Sequence, residues 1–145
     1  MNIQELSQRL HEEGCNQSQY AIGRRGAASD AFCLGHNGKE WQVHYTERGR
    51  DSDPIYASCD ETQACVFFFD TVMAMRHDHC VGFFRYEDKA SALCKQLAIA
   101  DITSWQDTIP FGGVDNPRYR VFVTGKDIFQ ARAVLGVIPV GDGET

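Results

Sequence analysis

The amino-acid sequence predicts an α+β protein, with an antiparallel hairpin and meander in the N-terminal half and two strand-helix units in the C-terminal half. Three patterns support this fold class. Apolar residues recur at helical spacing near the start, an Asn-Gly pair separates two strand-like runs, and two later β-branched and aromatic runs each precede a helical pattern. We expect the helices to pack on the sheet that these strands form.

The first predicted element is a short amphipathic helix. Ile3, Leu6 and Leu10 recur at helical spacing. Asn2 precedes them and is a suitable N-cap, because its side-chain oxygen can accept a backbone N–H of the first turn. A polar, glycine-rich connection through residues 23–26 follows this helix.

A β-hairpin is the clearest local signal. The Asn37-Gly38 pair lies between strand-like segments at 30–36 and 39–48, and such a pair favours a type I′ turn, which needs φ > 0 at both central residues. In the second segment apolar and polar residues alternate. This alternation predicts that His44 and Thr46 face outward.

A third short strand and a helix are predicted next. Residues 55–58 would complete an antiparallel meander of three strands. Asp60 can cap a helix whose body contains Phe67, Phe68 and Val72. This density of aromatic residues is typical of a helix that packs on a sheet, so we interpret them as core residues.

The C-terminal half contains two strand-helix units. The first has a strand over 81–86 and a helix over 89–98, and the second has a strand over 119–124 and a helix over 127–135. Turn residues are dense between the two units, so residues 105–117 are predicted to be the longest loop. We expect a single domain over residues 1–136 and a flexible tail over 137–145.

Composition excludes several functional classes. The chain has 14 Lys and Arg against 20 Asp and Glu, a formal net charge of −6, without the clustered basic residues that binding to nucleic acid requires. It contains no apolar run long enough for a membrane span and no secretion signal, so we expect a cytoplasmic protein. Its six cysteines lack metal-site or CxxC spacing and are predicted to be free, mostly buried thiols.

No pattern in the sequence assembles a catalytic or cofactor site. The run His77-Asp78-His79-Cys80 contains metal-ligand types, but adjacent side chains diverge, and we interpret it as a helix C-terminus. The run 124–127 does not match a phosphate-binding loop, and a strand-to-helix turn capped by Asp127 explains it better. We therefore predict no metal, no cofactor and no enzymatic activity.

Four runs of the sequence stand out together: 41–49, 81–84, 105–107 and 121–129. With these runs the chain resembles the small immunity proteins of bacterial polymorphic and contact-dependent toxin systems. The resemblance implies a protein that binds the toxin domain of its cognate effector, often a nuclease, and blocks its active site or its access to substrate. An acidic surface would complement a toxin built to hold nucleic acid.

The resemblance supplies no functional residues, so we select candidate interface residues by their charge, expected exposure and aromatic character. The end of the predicted hairpin and the segment after it, residues 47–56, combine negative charge with an aromatic residue. This segment is therefore our first choice of toxin-binding surface, and the predicted long loop is the second. The residues selected are Glu47, Asp51, Asp53, Tyr56, Asp107 and Asp115. Two alternatives stay open: a regulatory or small-molecule-binding α+β domain, and a small enzyme that uses a Cys or a His.

Overall fold

The computed structural model describes residues 1–23 and 30–142. The chain divides into two compact units, Met1–Arg76 and His77–Thr145. The described residues form four α-helices and eight strands in two sheets, with helices packed on sheets, which confirms the α+β class. The prediction of one domain over 1–136 stays a prediction. Residues 24–26 of the predicted connection lie outside the described residues.

The first unit has two helices and a five-stranded sheet. The helices are α1 (Ile3–Glu12) and α2 (Glu61–Met73), and the strands are β1 (Tyr20–Ile22), β2 (Asp30–His36), β3 (Trp41–Glu47), β4 (Arg50–Asp51) and β5 (Tyr56–Ser58). β3 pairs antiparallel with β2, β4 and β5, and β1 pairs parallel with β2. The predicted meander is therefore present as β2, β3 and β5.

Both helices of the first unit begin at the predicted caps. The Asn2 side chain accepts the backbone N–H of Glu5 at 2.9 Å, and the Asp60 side chain accepts that of Thr62 at 2.8 Å. Apolar side chains from both helices are fully buried with the sheet, among them Leu10 and Phe68. Burial of each such side chain is worth about 1.5–3 kcal/mol.

The predicted hairpin is confirmed, but its turn differs from the type I′ prediction. Residues 37–40 form a four-residue loop in which Asn37 Oδ1 accepts the backbone N–H groups of Lys39 and Glu40, both at 2.9 Å. Among the loop residues only Gly38 has positive φ. Two consecutive positive φ values occur instead between β3 and β4, at Arg48 (51°) and Gly49 (81°).

The prediction that Thr46 faces outward into water is wrong. Its side chain is fully buried, because β4 folds back beside it and pairs Thr46 with Asp51. The Thr46 hydroxyl donates to Asp51 Oδ1 at 2.8 Å, which satisfies the buried polar group. The His44 side chain keeps 24% of its surface exposed.

The second unit is a three-stranded antiparallel sheet with two helices on one face. Its elements are β6 (Asp78–Phe84), α3 (Glu87–Ile99), β7 (Trp105–Pro110), β8 (Pro117–Thr124) and α4 (Asp127–Leu135), and the strand order is β6-β8-β7. Both helices contribute side chains to one core with Val121 and Val123, alternate residues of β8. The two predicted strand-helix units are confirmed.

The prediction of a loop over 105–117 is wrong. Residues 105–110 form the edge strand β7, in which half-buried and exposed residues alternate, and only residues 111–116 remain as the loop. Pro110 is tolerated because it lies at the end of an edge strand. The turn residues that predicted a long loop are concentrated in this shorter hairpin connection.

The interpretation of residues 77–80 as a helix C-terminus is also wrong. α2 ends at Met73, and residues 78–80 begin β6. In the tail, Val140 donates to Val81 O at 2.8 Å and accepts from Phe83 N at 2.9 Å, which attaches this residue to β6, and the flexibility predicted for residues 137–145 stays a prediction. Residues 143–145 lie outside the described part of the chain.

Candidate functional site

Three of the six residues predicted to bind a partner have carboxylates that are free within the described part of the chain. Glu47, Asp53 and Asp115 are exposed, and within residues 1–23 and 30–142 no hydrogen bond or ion pair engages their carboxylates. Exposed and unpaired carboxylates can bind a basic partner without first breaking an internal bond. Glu47 and Asp53 belong to the first unit, and Asp115 belongs to the second.

The other three predicted residues are engaged within their own units. Asp51 accepts the Thr46 hydroxyl and lies 3.5 Å from His44 Nε2. Asp107 forms a two-pronged ion pair with Arg120. Tyr56 was selected as an exposed aromatic anchor, but its ring is half-buried and stacks on Phe67 with 4.2 Å between ring centroids.

The free carboxylates of the first unit belong to a charged surface around the β3–β4 turn. We name this surface the acidic turn, and its members are Asp30, Glu47, Arg48, Arg50, Asp51 and Asp53. Asp30 and Glu47 occupy directly opposite positions on β2 and β3, an arrangement in which like charges repel. Arg50 lies opposite Glu47 on the other side and offsets part of this repulsion.

Arg48 takes an unusual backbone conformation at the tip of the acidic turn. Its φ of 51° is in the left-handed region, where residues other than Gly, Asn and Asp are uncommon. The Arg48 N–H donates to Asp30 Oδ1 at 3.0 Å, which fixes the turn to β2. Arg48 was not among the predicted site residues, because arginine is not a residue that favours this turn.

Three of the six thiols lack the lowered pKa of a catalytic nucleophile. Burial raises the pKa of Cys15, Cys65 and Cys80 above the ordinary value of 9.0. A nucleophilic cysteine needs a lowered pKa, because the thiolate is the reactive form. Cys59 is exposed, in contrast to the buried Cys15, Cys33 and Cys65.

The raised pKa values predict that stability falls at alkaline pH. In the folded protein these thiols stay protonated, whereas in the unfolded chain they ionise near pH 9. Their contribution to the free energy of unfolding is therefore fully present below pH 9 and is lost as the pH rises above it. Burial also raises the pKa of Tyr20, in the same direction. Urea unfolding under reducing conditions across this pH range measures the effect. A Cys15→Ala, Cys65→Ala variant should show a shallower fall, and an equal fall would contradict the assignment.

The described residues contain no group of three or more His, Cys, Asp or Glu side chains placed to hold a metal ion. In the run 77–80, Asp78 is already used by the sheet: it accepts Thr124 Oγ1 at 2.7 Å and Trp105 Nε1 at 3.3 Å. In the run 124–127, the Gly125 N–H donates to His77 O at 2.8 Å, as expected for a turn. The prediction that Asp127 caps this helix is wrong: Asp127 is the first residue of α4, and Lys126 occupies the N-cap position without a capping side-chain hydrogen bond.

The face of the second sheet opposite the helices carries aromatic and charged side chains. Trp105 stacks on Phe122 with 4.3 Å between ring centroids, and the Arg120 guanidinium lies 4.9 Å from the Phe122 ring centre. Arg118 packs over Phe111 in the same way. Arg118 was not among the predicted site residues, although its alternation with Arg120 on one predicted strand is visible in the sequence.

No helix in residues 1–23 and 30–142 is both long and apolar enough to cross a membrane. Comparison of the chain with protein-family models, with curated proteins and with solved structures found no match.

Proposed function

We propose that this protein binds a cognate bacterial toxin domain and neutralises it by covering its active site or its path for substrate. One observation carries the proposal: the acidic turn presents the free carboxylates of Glu47 and Asp53 at the exposed end of a sheet. The partner class comes from the resemblance to immunity proteins described above. The chain itself would perform no chemistry in this function.

Charge distribution supports a basic partner. The first unit, Met1–Arg76, contains eleven Asp and Glu against seven Lys and Arg. A toxin of the nuclease type presents positive charge where it holds its substrate, so an acidic surface both speeds encounter and competes with phosphate for the same side chains. A fixed turn adds affinity because little conformational freedom is lost on binding.

A protection assay tests the proposal. The C-terminal domain of the protein encoded immediately upstream of this gene is expressed in cells with and without the full chain; if that domain is the cognate toxin, we expect growth only when the chain is present. Purified chain and toxin domain should also form a complex that inhibits toxin activity in vitro. Cell death in the presence of folded chain, together with no complex, would exclude the proposed function.

A regulatory or small-molecule-binding role is the second candidate. One observation favours it: a depression of about 390 Å³ lies beside the C-terminal end of α3, within the usual size range of ligand pockets. Its lining residues are Cys94, Ala98, Asp101, Ile102, Thr103 and Ser104. A metabolite that raises the melting temperature, with the rise abolished by Ala98→Trp, would favour this role over toxin binding.

A further inference from the structure

Arg118 is nearly buried without a carboxylate partner among the described residues. The residue is 8% exposed, and its Nη1 donates to Asn116 Oδ1 at 2.7 Å and to Pro117 O at 3.0 Å. The guanidinium carbon lies 4.5 Å from the ring centre of Phe111. A guanidinium stays charged in proteins, so this burial is costly unless an anion compensates it.

The remaining donors of Arg118 are available to a ligand. Nε and Nη2 make no hydrogen bond within the described part of the chain. They also reach solvent, because among the described residues only Gln19 Oε1 is a buried side-chain polar atom without a partner. A guanidinium edge with two parallel N–H groups is suited to bidentate binding of a carboxylate.

Another arginine on the same strand shows how a carboxylate binds to this Nε–Nη2 edge. Arg120 lies two residues further along β8, on the same face, and uses Nε and Nη2 to bind both carboxylate oxygens of Asp107 opposite it on β7. At the next pair towards the loop, Arg118 faces Ile109 instead. The sheet therefore builds a complete pair at Arg120 and leaves the corresponding carboxylate missing at Arg118.

We propose that the Nε–Nη2 edge of Arg118 binds a carboxylate supplied by another protein, an Asp or Glu side chain of the partner. The identity of that partner as a toxin domain rests on the proposed function, whereas the site itself does not. A phosphate backbone is disfavoured because it needs clustered cations, and Asp115 adds negative charge to the adjoining loop. Phe111 (49% exposed) and Val114 (86% exposed) provide apolar contacts in that loop, which can shield the pair from water.

A double-mutant cycle of melting temperatures, which we call the stability cycle, tests the site without any partner. Ile109→Asp places a carboxylate opposite Arg118 in the register that Asp107 has with Arg120, and Ile109→Asn is the uncharged control of equal size. We expect Ile109→Asp to melt about 3 °C above Ile109→Asn near neutral pH. The difference should vanish in an Arg118→Met background. Thr108→Asp and Thr108→Asn, one residue away, should show no such dependence on Arg118.

A binding measurement tests the partner's carboxylate. We expect the full chain to lose at least about tenfold in affinity for the neighbouring toxin domain with Arg118→Gln and with Ile109→Asp, whose new carboxylate occupies the edge. Ile109→Asn should retain more of the affinity than Ile109→Asp. A single-stranded oligonucleotide is the competing probe, and oligonucleotide binding that Arg118→Gln abolishes would overturn the choice of a protein carboxylate.

The outcomes separate this inference from the proposed function. Equal toxin affinity of Ile109→Asp and Ile109→Asn would overturn the inference and leave the proposed function intact. Failure of the wild-type chain to bind the toxin domain would reject the proposed function, and the stability cycle alone would then decide whether the edge accepts a carboxylate. Equal melting temperatures of the two Ile109 variants in both backgrounds would overturn the site.

Discussion

Replacing Gly82 with alanine is expected to lower the free energy of unfolding by about 2–3 kcal/mol. A Cβ atom at this position would lie 2.6 Å from Leu93 Cδ2, 2.7 Å from Phe84 Cε2 and 3.2 Å from Val121 Cβ. Leu93 is on α3, Phe84 is on β6 and Val121 is on β8, so the contacts restrain the added atom from the helix and from the sheet. Relief requires the Leu93 and Phe84 side chains to leave their positions in the core or α3 to move away from the sheet.

Chemical denaturation of the reduced full chain measures this loss. Gly141→Ala is the matched control, since its added Cβ would be 3.7 Å from Phe83 O, an ordinary contact, and we expect a change below about 0.5 kcal/mol. Both substitutions add one methyl group to the second unit. If the two variants lose stability equally, close packing of α3 on β6 at Gly82 is not the cause.

Sequence signals predicted the fold well where the signal was local. Asn2 and Asp60 act through hydrogen bonds to residues two or three positions ahead, so the sequence alone contains both partners. The hairpin at residues 37–40 is equally local. β1 escaped detection because it has only three residues and is held by parallel pairing with β2. Such pairing leaves no turn signal in the sequence.

Non-local pairing explains the errors. The turn at Arg48 and Gly49 is short because Glu47 and Arg50 pair on either side of it, a constraint that the Arg-Gly pair does not reveal. Residues 105–110 form a strand because β8 pairs along their whole length, despite the turn-rich sequence that follows. In both cases the strand register, rather than local propensity, determines the conformation.

The candidate site shows the same division between local and non-local information. Negative charge could be counted from the sequence, but whether a carboxylate is free depends on its neighbours in space. Asp107 and Asp115 were indistinguishable as predicted loop residues, yet only Asp107 lies opposite an arginine. Tyr56 was selected for exposure, and its stacking on Phe67 depends on the packing of α2 against β5.

If the proposed function holds, reversing the charge of Glu47 and Asp53 together, Glu47→Lys and Asp53→Lys, is expected to weaken binding to the toxin domain by about 100-fold, equivalent to about 2.7 kcal/mol. The two carboxylates have no partner in the described structure, so the loss should come from the complex and not from the fold. Unfolding stability should stay within about 0.5 kcal/mol of the wild type. Association kinetics at low and high salt measure the effect.

A second double variant distinguishes the effect of where the charge lies from the effect of the net charge of the protein. Glu12→Lys with Asp70→Lys makes the same change in net charge on α1 and α2, where both side chains are exposed. Long-range attraction alone would make the two double variants equally slow to associate. A contact at the acidic turn predicts that only the Glu47, Asp53 variant also dissociates faster and that added salt does not restore its affinity. Equal dissociation rates for the two variants would show that the acidic turn does not contact the toxin domain. Long-range electrostatic attraction would then be the only role left for its charge.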